Sequence, residues 1–261
     1  ARLDTFLSIA QKHRISTMVI LFCDCAFSGR EPYLGPQAEP VPGVHNSQWV
    51  PSPGFERMAD PAAWADLERY VKDLIGYLAE DPRVLIWDLY NEPGNSEMGE
   101  KSLPLLDSVF AWARETSPIQ PLTTGPWMWN TYKDPVSIRS MDLSDIITFH
   151  YYQSAEAIGG YLSACEAYNR PVLCTEWLRR GHGNTFAEIL PIFSEHRIGW
   201  YHWGWVAGRT QTYLPWESKA GAPPPKIWQH DLLREDGTPY DANEIQMVRE
   251  MSHTPPTSTP I

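Results

Sequence analysis

Along this chain, short apolar runs alternate with longer stretches in which apolar residues recur every three or four positions. "TMVILFC" (17–23) is a near-continuous apolar run, the pattern of a strand buried on both faces. Further runs are "RVLIWDLY" (83–90), "PLTTG" (121–125), "DIITFHYY" (145–152), "PVLCTEW" (171–177) and "GWYHWGW" (199–205). Between them the spacing predicts helices. The clearest starts with Asp60 as N-cap and Pro61 at the first helical position, and places Trp64, Leu67, Val71, Leu74, Ile75 and Leu78 on one face. Helices are also expected over 103–115, 155–168 and 185–196, in "RLDTFLSIAQKH" before the first strand, and from near Asp241.

Strands separated by helices imply a parallel sheet with right-handed crossovers. The expected fold is therefore α/β, of the (β/α)8 TIM-barrel type. Six strands are counted where a closed barrel has eight, so the barrel reads as incomplete, lacking its first two strands. Residues 1–252 read as one partial barrel, without internal repeat or linker. Residues 253–261, ending in "TPPTSTPI", read as a flexible tail too polar and proline-rich to pack. Two long loops, 26–59 and 206–230, follow the first and last strands, and the first holds six prolines.

Charge and composition narrow the partners. A formal net charge of −11 over 261 residues argues against a nucleic-acid or anionic-membrane partner, because no basic patch is expected to gather phosphates. No run of 18 apolar residues exists to span a bilayer. No signal peptide is visible, and the compartment stays open. The four cysteines form no disulfide framework; Cys23 and Cys25 read as small apolar groups on one strand face. Twelve tryptophans exceed what a core of this size needs, and some are expected to line a sugar-binding groove.

In parallel barrels, functional groups collect at the C-terminal strand ends. Here those ends carry Asp24, Asn91 and Glu92, Trp127 and Trp129, His150 and Tyr152, Glu176, and Trp203. Asp88, inside its strand, reads as structural. Two carboxylates with aromatics, an amide and an imidazole match glycoside hydrolysis, in which one carboxyl protonates the departing oxygen and the other attacks or activates water. The eight histidines are scattered without ligand spacing, so neither a metal nor a cofactor is expected.

"WDLYNEP" and "VLCTEW", with "ITFHYY" and "WYHWGWVAG", resemble the retaining β-glycosidases of glycoside hydrolase clan A, particularly family 5-like cellulases and relatives of family 2. "QTYLPW" and "DLLREDGTPYD" are similar to one branch labelled xylanases or cellulase-family hydrolases. The resemblance covers nearly the whole chain. It implies that Glu92 is the acid/base and Glu176 the nucleophile. It also implies that Asn91 binds the sugar 2-hydroxyl, Tyr152 hydrogen-bonds the nucleophile, His150 supports the subsite and Trp203 floors the sugar ring.

Trp127 at its strand end and Trp49 in the first long loop are further candidates for binding substrate, an oligosaccharide or β-glycoside. Tyr33, His45 and Asn46 in the first loop, and Trp216, Glu217 and Trp228 in the second, are expected to wall the pocket. The family also uses an arginine from its second strand. This chain has no such strand, and Arg179, Arg180 and Arg209 are the candidates to substitute. Unpaired strand edges beside an exposed apolar interior predict a homo-oligomer that covers the open side. The competing expectation is a carbohydrate-binding pseudoenzyme on a degenerate barrel. The sugar, and cleavage at chain ends or inside, are not encoded legibly.

Overall fold

A computed structural model describes residues 2–127 and 133–253, which form two compact units. Trp129 and the tail from Thr254 lie outside the described residues.

The first unit comprises Ala1–Tyr33 and Val50–Thr148. It contains α1 (Arg2–Lys12), β1 (Thr17–Cys23), α2 (Phe55–Ala59), α3 (Ala65–Leu78), β2 (Val84–Asn91), α4 (Leu103–Glu115), β3 (Leu122–Thr123) and α5 (Pro135–Leu143). The strands run in the order β1-β2-β3, all parallel, with Cys23 opposite Asn91 and Asp88 opposite Thr123. Parallel pairing gathers the C-terminal ends of the strands at one edge, as the alternation of elements requires. On α3, Leu67, Val71, Ile75 and Leu78 are buried at helical spacing, and Leu105, Leu106, Val109 and Phe110 do the same on α4. These two helices pack on each other and form one apolar cluster with Trp87 and Leu89 of β2.

Three local expectations change. The Asp60 carboxylate does cap, accepting from Ala62 N at 3.0 Å, but the turn it starts is a 3₁₀ turn over Pro61–Ala63. The Trp64 indole then donates to Arg57 O at 2.9 Å, and α3 begins only at Ala65. β1 is not buried on both faces: Ile20 is 48% exposed, and only Leu21, Phe22 and Cys23 are covered. An edge strand keeps one side uncovered however apolar its sequence. Finally α5 is a helix that periodicity misses, since it is short. Its start was legible: Asp134 accepts from Val136 N and Ser137 N, with Pro135 next to it.

The second unit comprises Leu34–Trp49 and Phe149–Ile261. Strand β4 (Ile147–Tyr151) begins in the first unit and continues here. It is followed by α6 (Gly159–Glu166), β5 (Val172–Trp177), α7 (Phe186–Glu195), β6 (Gly199–Trp200) and α8 (Ala242–His253). Strand order is β4-β5-β6, with Cys174 opposite Trp200 in the parallel β5–β6 pair. The core is built of rings: the Trp177 ring lies 4.9 Å from Phe186, 5.4 Å from Phe193 and 5.6 Å from Trp200. β6 is shorter than its apolar run predicts, although Tyr201 N→Cys174 O and Trp203 N→Trp177 O continue the ladder.

The long loops of this unit are zipped together by polar groups. Gln211 accepts from Gly43 N at 2.9 Å and donates to Val41 O at 2.8 Å and Val44 O at 3.1 Å. Asn46 N donates to Thr210 O, and Ser218 Oγ accepts from His45 N at 2.9 Å. Arg180, buried, donates to Glu244 of α8 and to the carbonyls of Trp228, His230 and Asp231. No described helix is long and apolar enough to cross a membrane.

Candidate functional site

At the C-terminal edge of the first sheet stand Asp24, Asn91 and Glu92, all buried. β2 delivers the last two directly, and the backbone there is unusual. Glu92 has φ 50°, a left-handed conformation that side-chain-bearing residues adopt at a cost. Gly94 follows at φ 85°, where an added Cβ would lie 3.1 Å from Gly99 O. Glu92 Oε2 accepts from Asn95 Nδ2 at 2.6 Å. Asn91 Nδ2 donates to Cys23 Sγ at 3.3 Å, while its buried Oδ1 has no hydrogen-bond partner among the described residues. Trp127, beyond β3, is 37% exposed.

Asp24 is the residue whose importance the pattern understated. Its carboxylate accepts from Tyr90 OH at 2.6 Å, Ser102 Oγ at 2.6 Å and Gly94 N at 2.8 Å. Burial pushes its pKa up to about 6, against the pull of the three donors; the neighbouring Glu92 charge adds to the rise. Asp88 is buried and accepts from Tyr90 N at 3.2 Å, the structural role expected of it.

In the second unit, β4 and β5 place His150, Tyr152 and Glu176 together. Glu176 is 9% exposed, and its Oε2 accepts from Tyr152 OH at 2.8 Å, with His150 Nδ1 at 3.4 Å. The Tyr152 ring meets Trp216 edge-on at 5.1 Å, and Trp216 carries the Arg179 guanidinium over its face at 4.1 Å. Arg179 also reaches Glu217 at 3.1 Å, so two residues of the second loop do gather beside Tyr152. Trp203 and Trp49 form an edge-to-face pair at 6.3 Å.

His45 Nδ1 donates to Leu214 O at 2.7 Å, since a carbonyl only accepts, which fixes the proton on that nitrogen. Burial lowers its pKa to about 4 and holds the nearby His230 well below the ordinary histidine value. Of the three arginines considered as substitutes, Arg180 is engaged with α8 and loop carbonyls, and Arg209 pairs with Glu39 at the surface. Among the twelve tryptophans, Trp87 and Trp177 are fully buried, while Trp49, Trp127 and Trp205 are exposed. All four cysteines are free thiols.

No family model matches the chain, and no curated protein matches it in sequence. Solved structures do match in shape. The endo-β-1,4-mannanase from Thermotoga petrophila aligns with TM-score 0.65 at 14% identity, over 96% of this chain and 60% of its own. The β-D-glucuronidase of Dictyoglomus thermophilum gives TM-score 0.60 at 13% identity, over 97% of this chain and 43% of its own. The GH2 β-galacturonidase from Eisenbergiella tayi, bound to galacturonate, gives 0.59 at 11%, again over 97% and 43%. The chain thus spans between two fifths and three fifths of these proteins. At such identities the likeness speaks for architecture alone: this chain shares the α/β fold of these proteins.

Proposed function

We propose that this chain is a retaining β-glycosidase on an incomplete (β/α)8 barrel, with Glu176 as nucleophile and Glu92 as acid/base. The observation that carries the reading is the grip on Glu176: a buried carboxylate with one oxygen held by Tyr152 OH at 2.8 Å and His150 close by. A carboxylate oriented in this way keeps its aim, as an attacking group must. Its oxygen forms a bond to the anomeric carbon as the glycosidic C–O bond breaks, and Glu92 gives its proton to the departing oxygen. Glu92 then takes a proton from water, the water oxygen attacks the same carbon, and the bond to Glu176 breaks. Asn91 Oδ1, buried without a hydrogen-bond partner among the described residues, suits a sugar hydroxyl, and Trp49, Trp127 and Trp203 suit the apolar face of a sugar ring.

The test is a panel of aryl β-glycosides covering glucose, galactose, mannose, xylose and fucose. Glucuronides and galacturonides belong in it because of what the shape-related enzymes act on. Wild type should hydrolyse at least one, and Glu176→Gln should lose about a thousandfold or more in kcat, the scale of a missing nucleophile. Unchanged turnover in that variant sinks the assignment. A homo-oligomer remains part of the proposal, supported by exposed Phe6, Ile9, Ile15 and Ile20 in the α1–β1 region; a monodisperse monomer in light scattering removes it.

A further inference from the structure

The turn after β2 has to hold a side chain in a conformation its backbone resists. Glu92 lies at φ 50° and Gly94 at φ 85°. Asn95 N→Glu92 O at 3.1 Å and Gly99 N→Gly94 O at 2.9 Å close the turn from within, and Glu92 N→Gly125 O at 2.7 Å ties its start to the chain beyond β3. A second tie comes from the end of β1 and falls on Gly94. Gly94 N donates to Asp24 Oδ2 at 2.8 Å, and Ser102 Oγ, itself within 3.0 Å of Gly94 N, donates to the same oxygen at 2.6 Å. Asp24 is 1% exposed and is fixed on its other oxygen by Tyr90 OH. A carboxylate so placed costs burial energy that an apolar residue would not, which points to a use.

We infer that Asp24 is a positioning residue whose carboxylate clamps the Gly94 amide and so holds Glu92 at the angle from which it serves the reaction. The inference rests on the reading of Glu92 as acid/base. Asp24 touches no substrate; it acts through the turn. Its acceptor oxygens are what matter, so Asn, which keeps one oxygen of the same reach, should preserve most of the effect, and Ala should not.

The experiment compares Asp24→Ala, Asp24→Asn and Tyr90→Phe with wild type, on aryl glycosides of graded leaving-group acidity. A misplaced proton donor slows departure of poor leaving groups and spares activated ones that need little protonation. Asp24→Ala should therefore lose about tenfold to a hundredfold in kcat on phenyl glycosides, a fraction of what general-acid catalysis supplies, with KM within about twofold. On dinitrophenyl glycosides the loss should be about threefold or less. Asp24→Asn should recover most of it, and Tyr90→Phe, which removes a buried bond to Asp24 but leaves the Gly94 clamp, should show no leaving-group dependence.

A uniform loss across leaving groups, or Asp24→Ala matching Tyr90→Phe, overturns the inference. The second readout needs no activity: amide exchange at Gly94 should quicken about tenfold or more in Asp24→Ala and less in Asp24→Asn, and unchanged protection overturns the clamp. If Asp24→Ala does not fold, Asp24→Ser, a polar side chain too short to reach the Gly94 amide, decides by the same two readouts. Wild type inactive on every glycoside would defeat the proposed function while leaving the Gly94 exchange result to judge the clamp.

Discussion

In the first unit, aliphatic side chains from α3 and α4 close over β2, with Val71, Ile75, Leu106 and Val109 wholly buried. In the second, rings do this work: Trp177 sits among Phe186, Phe193 and Trp200, and polar side chains such as Gln211 and Arg180 lace the loops. The buried titratable groups differ as well. Burial raises a carboxyl in each unit, Asp24 in the first and Asp231 in the second, but the second also holds histidines, His45, His202 and His230, below their ordinary value. The same strand-and-helix order can thus be stabilised by helix-face packing or by loop chemistry. Which one a region uses decides how it responds to mutation and to acid.

The largest expected effect separates the two cores. Trp177→Ala should cost about 3–5 kcal/mol in urea unfolding, because it empties the centre of the ring cluster, and Ile75→Ala should cost about 2–4 kcal/mol. An isoleucine deletion costing as much as the tryptophan would break the contrast between one hub and a distributed core.

Acid response comes next. Asp24 has its pKa raised from 3.8 to about 6, so the folded state binds its proton more readily than the unfolded chain. Stability from this group is present below the unfolded value and falls as pH rises from 3.8 to about 6, by at most about 3 kcal/mol. His45 and His202 are lowered from 6.5 to about 4, so the unfolded chain takes up protons first and stability falls as pH drops through that window. The two slopes oppose each other. Asp24→Asn should remove the first and steepen the net loss of stability toward acid, as read from urea midpoints across the window. An unchanged pH profile in that variant would show that the buried carboxyl does not titrate as argued.

Caps supply the smallest test. Asp134 caps α5 in the first unit and Thr185 caps α7 in the second, accepting from Glu188 N at 3.3 Å. Either residue replaced by Ala should cost about 1 kcal/mol. The longer Thr185 bond puts that variant at the lower end, and the reverse order in thermal unfolding would contradict the bond lengths.

The site and the fold were unequally legible. "WDLYNEP" marked the end of β2 to within one residue, because a buried apolar run cannot absorb Asn and Glu without ending. Glu176 with Tyr152 and His150 was expected from resemblance, and the second unit does assemble them. Periodicity overlooks α5, whose capping pair Asp134–Pro135 starts an α-helix directly, whereas the like pair Asp60–Pro61 starts a 3₁₀ turn. Nor could pattern show that Gln211 would bind carbonyls of Val41 and Val44, more than 160 residues away in sequence. Such bonds follow from where loops meet, and single side chains carry no record of it. Asp24 was visible as a carboxylate at a strand end; its partners Ser102 and Gly94 were not, because they lie on other elements.

Glu92 is among several side-chain-bearing residues held in a left-handed backbone, with Glu97 and Leu178. Nearly everywhere, a substitution that relaxes the backbone also preserves what the molecule does. At Glu92 glycine or asparagine would sit more comfortably than the residue present, so a lineage selected for robustness alone would drift away from glutamate. On the proposed reading of Glu92 as acid/base, Glu92→Gly should gain stability in urea unfolding while losing turnover, because glycine relaxes the φ of 50°.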